Sequence, residues 1–385
     1  MTSVTIKRVR TKEDLRTFID FHYDLYEGNP YDVPNLFTDE FNTLDKKHNA
    51  AFDFCSAEYY LAYKDGDLVG RVAAIINSRA NERWGRKTVR FGWIDFVNDL
   101  EVLRALMQAV EDYGRANGMQ EIVGPLGFSD MDPEGMLTWG FDKLGTMPTI
   151  YNYEYYPKLM ERLGNFEKDN DYVEYYLPVP KEVPAKYSKI ASMVERRYNL
   201  HVKKLTRKDV FEGGWGHKIF RLINETYKDL YGYSQLSERQ IDQYVNMYFP
   251  LVDLNLITLI VDGNKDDALA GLGITIPSLS RALQKCHRGR LLPFGWWHLL
   301  RAIKWHKTEG VDLLLIGFLP EYRAKGANAI LFADLIPRYI QYGFKWGETQ
   351  VEMEGNEGVQ GQWGALNPIN HKRRRCYRKW IGSDK

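Results

Sequence analysis

The chain has 385 residues, 44% hydrophobic and 27% charged, which is globular composition with room for two domains of ordinary size. A formal net charge of +1 excludes a nucleic-acid-wide basic surface. Cys55, Cys286 and Cys376 follow neither disulfide nor zinc spacing, so no metal is expected. The opening residues MTSVTIKRVRTKEDL form no apolar signal region, and no run reaches the roughly 18 apolar residues of a membrane span. The expectation is a cytoplasmic protein that can touch a membrane only at its surface.

In chain order, residues 4–15 (VTIKRVRTKEDL) read as a short strand followed by a Thr-Lys-acidic helix start, and the helix ends at Asp24-Leu25-Tyr26. Residues 59–76 alternate around Lys64-Asp65-Gly66-Asp67 as a β-hairpin. A strand at Arg90–Phe96 then runs into Val97-Asn98-Asp99-Leu100-Glu101, a turn without glycine whose acids repel phosphate. Residues 124–142 (GPLGFSDMDPEGMLTWGFD) and 151–157 (YNYEYYP) are long glycine-, proline- and aromatic-rich stretches, suited equally to function and to packing. LPVPKEVP at 177–184 holds three prolines in eight residues and marks a boundary.

Beyond it the pattern returns. LHVKKLTRKDV (200–210) repeats the first strand and helix start, the following helix ends at Asp229-Leu230-Tyr231, and a hairpin at 256–276 places Gly271 where the first has Gly70. The common offset of about 200 residues describes one duplicated α/β unit, with halves at 1–178 and 185–385. The second half continues with a helix near Trp296–Lys307, an apolar strand at Val311–Phe318, a helix from about Ala327 to Tyr342 and a strand at Thr349–Glu354. Strands interleaved with helices indicate an α/β fold with mixed sheets.

The chemistry concentrates in VDLLLIGFLPEYRAKGANAILFADLIPRYIQ (311–341). A buried strand, a basic turn with a glycine and an amphipathic helix make an anion site: helix-start amides point outward, and glycine permits close approach of a phosphate. The first half has no counterpart to it. Glu352 and Glu354 share one face of their strand because side chains alternate, and a desolvated carboxylate of such a pair is a base suited to an ammonium. NHKRRRCYRKWI (370–381) is the densest basic run, either a solvated face or a phosphate-binding cluster.

Pro320-Glu321-Tyr322-Arg323, Gly326 and the flanking strand and helix resemble the acetyl-CoA signature of the GNAT (Gcn5-related N-acetyltransferase) superfamily. Asn328 stands where that family prefers Gly or Ala. With GPLGFS, YNYEYY and the basic tail, nearly the whole chain resembles a bacterial group of tandem GNAT acyl-CoA N-acyltransferases that includes the bacterial ceramide synthases. The resemblance implies two GNAT-like halves with mixed, mostly antiparallel sheets, and a coenzyme site only in the second. Gly317, Phe318 and Leu319 would pair with the pantetheine amides. Arg323, Ala324, Lys325, Gly326, Ala327 and Asn328 would cradle the pyrophosphate. Glu352 or Glu354 would be the base, and Tyr377 the acid for the departing thiolate. Acetyl-CoA or acyl-CoA would be the donor, and a small-molecule or lipid amine the acceptor. A non-catalytic binding protein and an aminoacyl- or peptidoglycan-type transferase of similar duplicated fold are the other classes left open.

Overall fold

The computed structural model describes residues 3–382. Its backbone separates into two compact units: 1–173 with 280–298 and 371–385, and 174–279 with 299–370. The expected halves, 1–178 and 185–385, are contiguous; the observed units are not, because each is finished by a strand segment from beyond the proline-rich boundary.

In the first unit, Thr5–Arg8, Cys55–Lys64, Asp67–Asn77 and Thr88–Phe96 are antiparallel neighbours. Glu121–Gly124 then joins Thr88–Phe96 in parallel, and residues 377–380 of the Ile369–Trp380 strand pair antiparallel with it, Tyr377 opposite Gly124. Side-chain alternation sends Ala62, Val72 and Ala74 to one face, against Val102, Leu106 and Val110 of the Leu100–Ala116 helix. Leu61, Ala73 and Ile75 go to the other, against Leu15, Phe18 and Ile19 of the Lys12–Leu25 helix.

The second unit repeats this order. Leu200–Lys203, Ile257–Asp262, Ala268–Pro277 and Gly310–Phe318 are antiparallel neighbours. Trp346–Thr349 joins the last of them in parallel, and residues 176–178 close antiparallel on Trp346–Thr349. Its core gathers Tyr187, Ala191 and Val194 from the Ala185–Tyr198 helix with Ile330, Leu331, Leu335 and Ile336 from the Asn328–Tyr342 helix. The two helix starts read from the sequence are both capping boxes, Thr11 with Asp14 and Thr206 with Asp209.

Two expected elements differ. The helix after Thr206 is divided into Arg207–Phe211 and Trp215–Tyr227, because Gly213-Gly214 intervenes and Gly214 takes φ +70°. The strand expected at 349–354 is two pieces, Trp346–Thr349 and Glu352–Met353, and the chain reverses where the amide of Asn356 donates to Met353 O at 2.9 Å. Among the described residues, no helix is long and apolar enough to cross a membrane.

Candidate active site

The Gly310–Phe318 strand is held along one edge by Ala268–Pro277 through Phe318, but its parallel pairing on the other edge covers only residues 310–313. Farther along, side chains replace the missing neighbour. The hydroxyl of Tyr227 accepts from the Ile316 amide at 3.2 Å and donates to its carbonyl at 3.1 Å. Arg323 Nε donates to Phe318 O at 2.9 Å and Nη2 to Thr226 O at 3.0 Å. Leu319 N–H points the opposite way, to Ala270 O at 3.0 Å. A Cβ on Gly317 would lie 2.6 Å from Thr226 Oγ1, so glycine there allows the helix to approach the strand.

After a helical turn at Pro320–Arg323, the chain passes through Gly326 at φ +80° and enters the Asn328–Tyr342 helix. The amides of Gly326, Ala327 and Asn328 have no backbone acceptor among the described residues. Three successive amides without a backbone acceptor at the start of a 15-residue helix, that of the buried Ala327 among them, are a donor set of the kind that suits an anion. Lys325 supplies charge beside them, its ammonium 5.0 Å from the ring of Tyr198 and 4.5 Å from that of Tyr322. Tyr322 is anchored by its hydroxyl, which donates to Asp262 Oδ2 at 2.7 Å. The left-handed residue of the turn is Gly326, and Asn328 already has a helical backbone, so its departure from Gly or Ala costs the loop nothing in conformation. The arginine differs from expectation: its guanidinium folds back on main-chain carbonyls, which leaves the amides and Lys325 as the donors this turn offers.

Glu352 is buried. Its Oε1 accepts the indole N–H of Trp363 at 2.9 Å, and Oε2 has no partner among the described residues. Burial lifts its pKa to about 8, against the opposing hydrogen bond from Trp363 and the nearby Thr349 hydroxyl. Glu354, expected on the same face, is exposed, because the strand ends at Met353 and the chain turns. Trp363 comes from the glycine-interrupted segment after this turn, which folds as a short helix and a 3₁₀ turn over 357–366. Tyr187 Oη fixes that segment by donating to Gln362 O at 2.7 Å.

Tyr377 is not with these groups in the second unit. It lies in the first unit's core, 4% exposed, among Phe91, Met136 and Tyr156. The basic run around it is an internally paired strand: Arg375 makes two hydrogen bonds to Asp171 at 2.7 and 3.0 Å, Arg378 meets Glu167 at 2.7 Å, and Lys379 meets Glu111 at 2.5 Å. The first unit's counterpart of the anion turn is closed by its own acid. Asp99 caps the Leu100–Ala116 helix, accepting from Glu101 N, and its other oxygen meets Lys64 Nζ at 2.6 Å.

The first unit instead has a polar cavity of about 70 Å³ that the sequence did not reveal. Asp95 lines it and takes Arg71 Nε at 2.8 Å, His22 Nδ1 at 3.0 Å and the hydroxyls of Tyr26 and Tyr156 at 3.2 and 3.1 Å. Asp32 stands 3.4 Å from His22 Nε2. Burial opposes a charged His22, but Asp32 and Asp95 outweigh it and raise its pKa to about 10. Trp93 lines the cavity at φ +46°, an uncommon geometry for a bulky residue, and donates to Glu40 at 2.7 Å. Leu126 and Gly127 of the GPLGFS stretch line it too, while Phe128 is buried in the core. The tyrosine-rich segments were the only trace of this network in the sequence, and they could not show that His22 and Asp95 meet across 73 residues.

No family model matches the chain. Protein YghO of Escherichia coli (strain K12) is 25% identical over 390 residues, spanning 98% of this chain and 95% of that protein. A bacterial ceramide synthase of Caulobacter vibrioides (strain NA1000 / CB15N) is 26% identical over 387 residues, 96% of each. Among solved structures, a tandem GNAT protein from the clavulanic acid biosynthesis pathway matches over 100% of both chains, with TM-score 0.57 and 12% identity. The GCN5-related glucosamine N-acetyltransferase region of a fungal multi-domain GH3 β-N-acetylglucosaminidase matches with TM-score 0.55 and 11% identity, over 98% of this chain and 38% of that one.

Proposed function

This chain is a tandem GNAT-fold protein, and on that premise we propose that it is an acyl-CoA-dependent N-acyltransferase with its coenzyme site in the second unit. The carrying observation is the run of three unpartnered amides at Gly326–Asn328, placed just after a strand whose pairing on one edge has ended. A pyrophosphate fits that donor set, with Lys325 as counter-charge. Gly317, Phe318 and Leu319 lead into it, and Gly317 leaves the strand without side-chain bulk. The thioester of the bound coenzyme supplies the activated acyl group.

Glu352 is the group best suited to take a proton from an acceptor ammonium. Its Oε2 has no partner among the described residues, and a carboxylate with pKa about 8 is a stronger base than a solvated one. Trp363 fixes the orientation of the carboxylate through the other oxygen. The exposed Glu354 and the core residue Tyr377 take no part in this reading. The name of the Caulobacter relative supports a lipid amine as acceptor.

Calorimetric titration with coenzyme A tests the proposal. One site per chain is expected, abolished by Gly326→Glu, which strains the turn at φ +80° and adds a negative charge beside the amides. Two equal sites, or a variant that binds as before, would overturn it. Assays pairing acetyl-CoA and palmitoyl-CoA with sphingoid bases and with short diamines then identify donor and acceptor.

A further inference from the structure

Residues 280–308 contain seven lysines and arginines and no aspartate or glutamate. Within them LLPFGWW (291–297) exposes large apolar side chains one after another: Leu292 is 76% exposed and Phe294 70%, with Leu291, Trp296 and Trp297 also on the surface. The Gly295–Trp305 helix continues the pattern. It buries Leu299 and Ala302, and its exposed residues include Trp296, Trp297 and Trp305 together with Arg301 and Lys304. An outward helix face in water is ordinarily polar, and single exposed apolar residues are common, but a continuous group of this size marks an interaction surface.

The composition selects the partner. Tryptophans with flanking lysines and arginines are the side chains that settle at the headgroup level of a bilayer, ring inward and cation outward. Arg288 and Arg290 are already paired with Asp20, and Arg288 also with Asp24. Lys285, Arg301, Lys304 and Lys307 form no ion pair among the described residues, and all four are exposed. A bilayer accepts a group of unlike exposed side chains without the shape matching that a protein partner requires. We propose that the 291–305 segment is a membrane-docking element, seating Leu291, Leu292, Phe294 and the tryptophans at the surface of an anionic bilayer with Arg301 and Lys304 on its phosphates. This rests on exposure and charge alone and stands apart from the acyltransfer reading.

Co-sedimentation of the full chain with phosphatidylcholine vesicles, with and without 30 mol% phosphatidylglycerol, tests it. Binding is expected to the anionic vesicles, weakening as salt rises. Leu292→Asp with Phe294→Asp should reduce it about tenfold or more, and Arg301→Glu with Lys304→Glu should remove the preference for phosphatidylglycerol. Both pairs are exposed, and circular dichroism of each variant checks that the fold is kept. Brominated lipid should quench the wild-type tryptophan fluorescence, and less so after Trp296→Phe and Trp297→Phe. No vesicle binding by the wild-type chain, or vesicle binding unchanged in the aspartate variant, overturns the proposal. So does a wild-type dimer that the aspartate variant converts to monomer without vesicle binding, which would assign the surface to a second copy.

Discussion

The indole of Trp363 reaches Glu352 across a chain reversal, donating to Oε1 at 2.9 Å while Oε2 stays buried without a partner. That hydrogen bond favours the charged carboxylate and burial opposes it, so the indole holds the pKa of Glu352 below what burial alone would give. Trp363→Phe keeps an aromatic ring and deletes the donor. The pH–rate profile of acyl transfer should move its acidic limb to higher pH, with turnover at pH 7 about three- to tenfold lower. An unmoved limb would separate Glu352 from the rate.

Glu352→Gln should lower turnover by about 10²–10⁴-fold, the usual yield of a positioned base, with coenzyme affinity retained. Stability gives a second readout. The folded carboxyl has pKa about 8 against an ordinary value of 4.5, so between these values the folded state binds the extra proton and wild-type stability falls as pH rises. Urea denaturation at pH 5, 7 and 9 should show that decline, and the glutamine variant should lack its share.

Gly326→Ala separates backbone conformation from charge. At φ +80° an alanine is strained, and its Cβ would sit 3.1 Å from Ile190 Cγ2. A stability loss of about 1 kcal/mol and a clear weakening of coenzyme A binding are expected, short of the complete loss for glutamate. Thermal melts with and without coenzyme A measure both.

The network around Asp95 should show its own pH dependence. His22 has a folded pKa near 10 against 6.5 unfolded, so its contribution is complete below about pH 6.5 and disappears as pH rises toward 10. For Asp95, burial is outweighed by Arg71 and His22, which lower its pKa from 3.8 to about 2; that contribution is present above 3.8 and lost as pH falls through 2. Asp95→Asn leaves the buried Arg71 without its carboxylate and His22 with Asp32 alone, and should cost about 3–5 kcal/mol, read as a lower denaturation midpoint at neutral pH.

The duplication was legible because its signals are local: alternation in the hairpins, threonine caps at Thr11 and Thr206, and a glycine after a buried strand. The strand, turn and helix of residues 310–342 stand where the sequence placed them, yet Arg323 was assigned outward because nothing in the sequence tells that its guanidinium meets the carbonyls of Phe318 and Thr226. Glu352 was selected together with Glu354 on the assumption of a continuous strand, which ends instead at Met353. What decides Glu352 is Trp363, eleven residues away in a segment without periodicity. The pairing of Arg375 with Asp171 spans 204 residues, and a long-range pairing of this kind makes an ordered strand look like a free basic tail.

The exchange of closing strands bears on how the chain must be made. Glu121–Gly124 stays an open sheet edge until residues 377–380 arrive to pair with it. At translation rates of about 5–20 residues per second, the first unit waits on the order of tens of seconds after its own strands have emerged. During that interval its unpaired backbone is open to other chains, so residues 377–380 govern whether strands made long before them are kept from aggregating. A stop codon ahead of residue 377 would thus act on the unit that was made first.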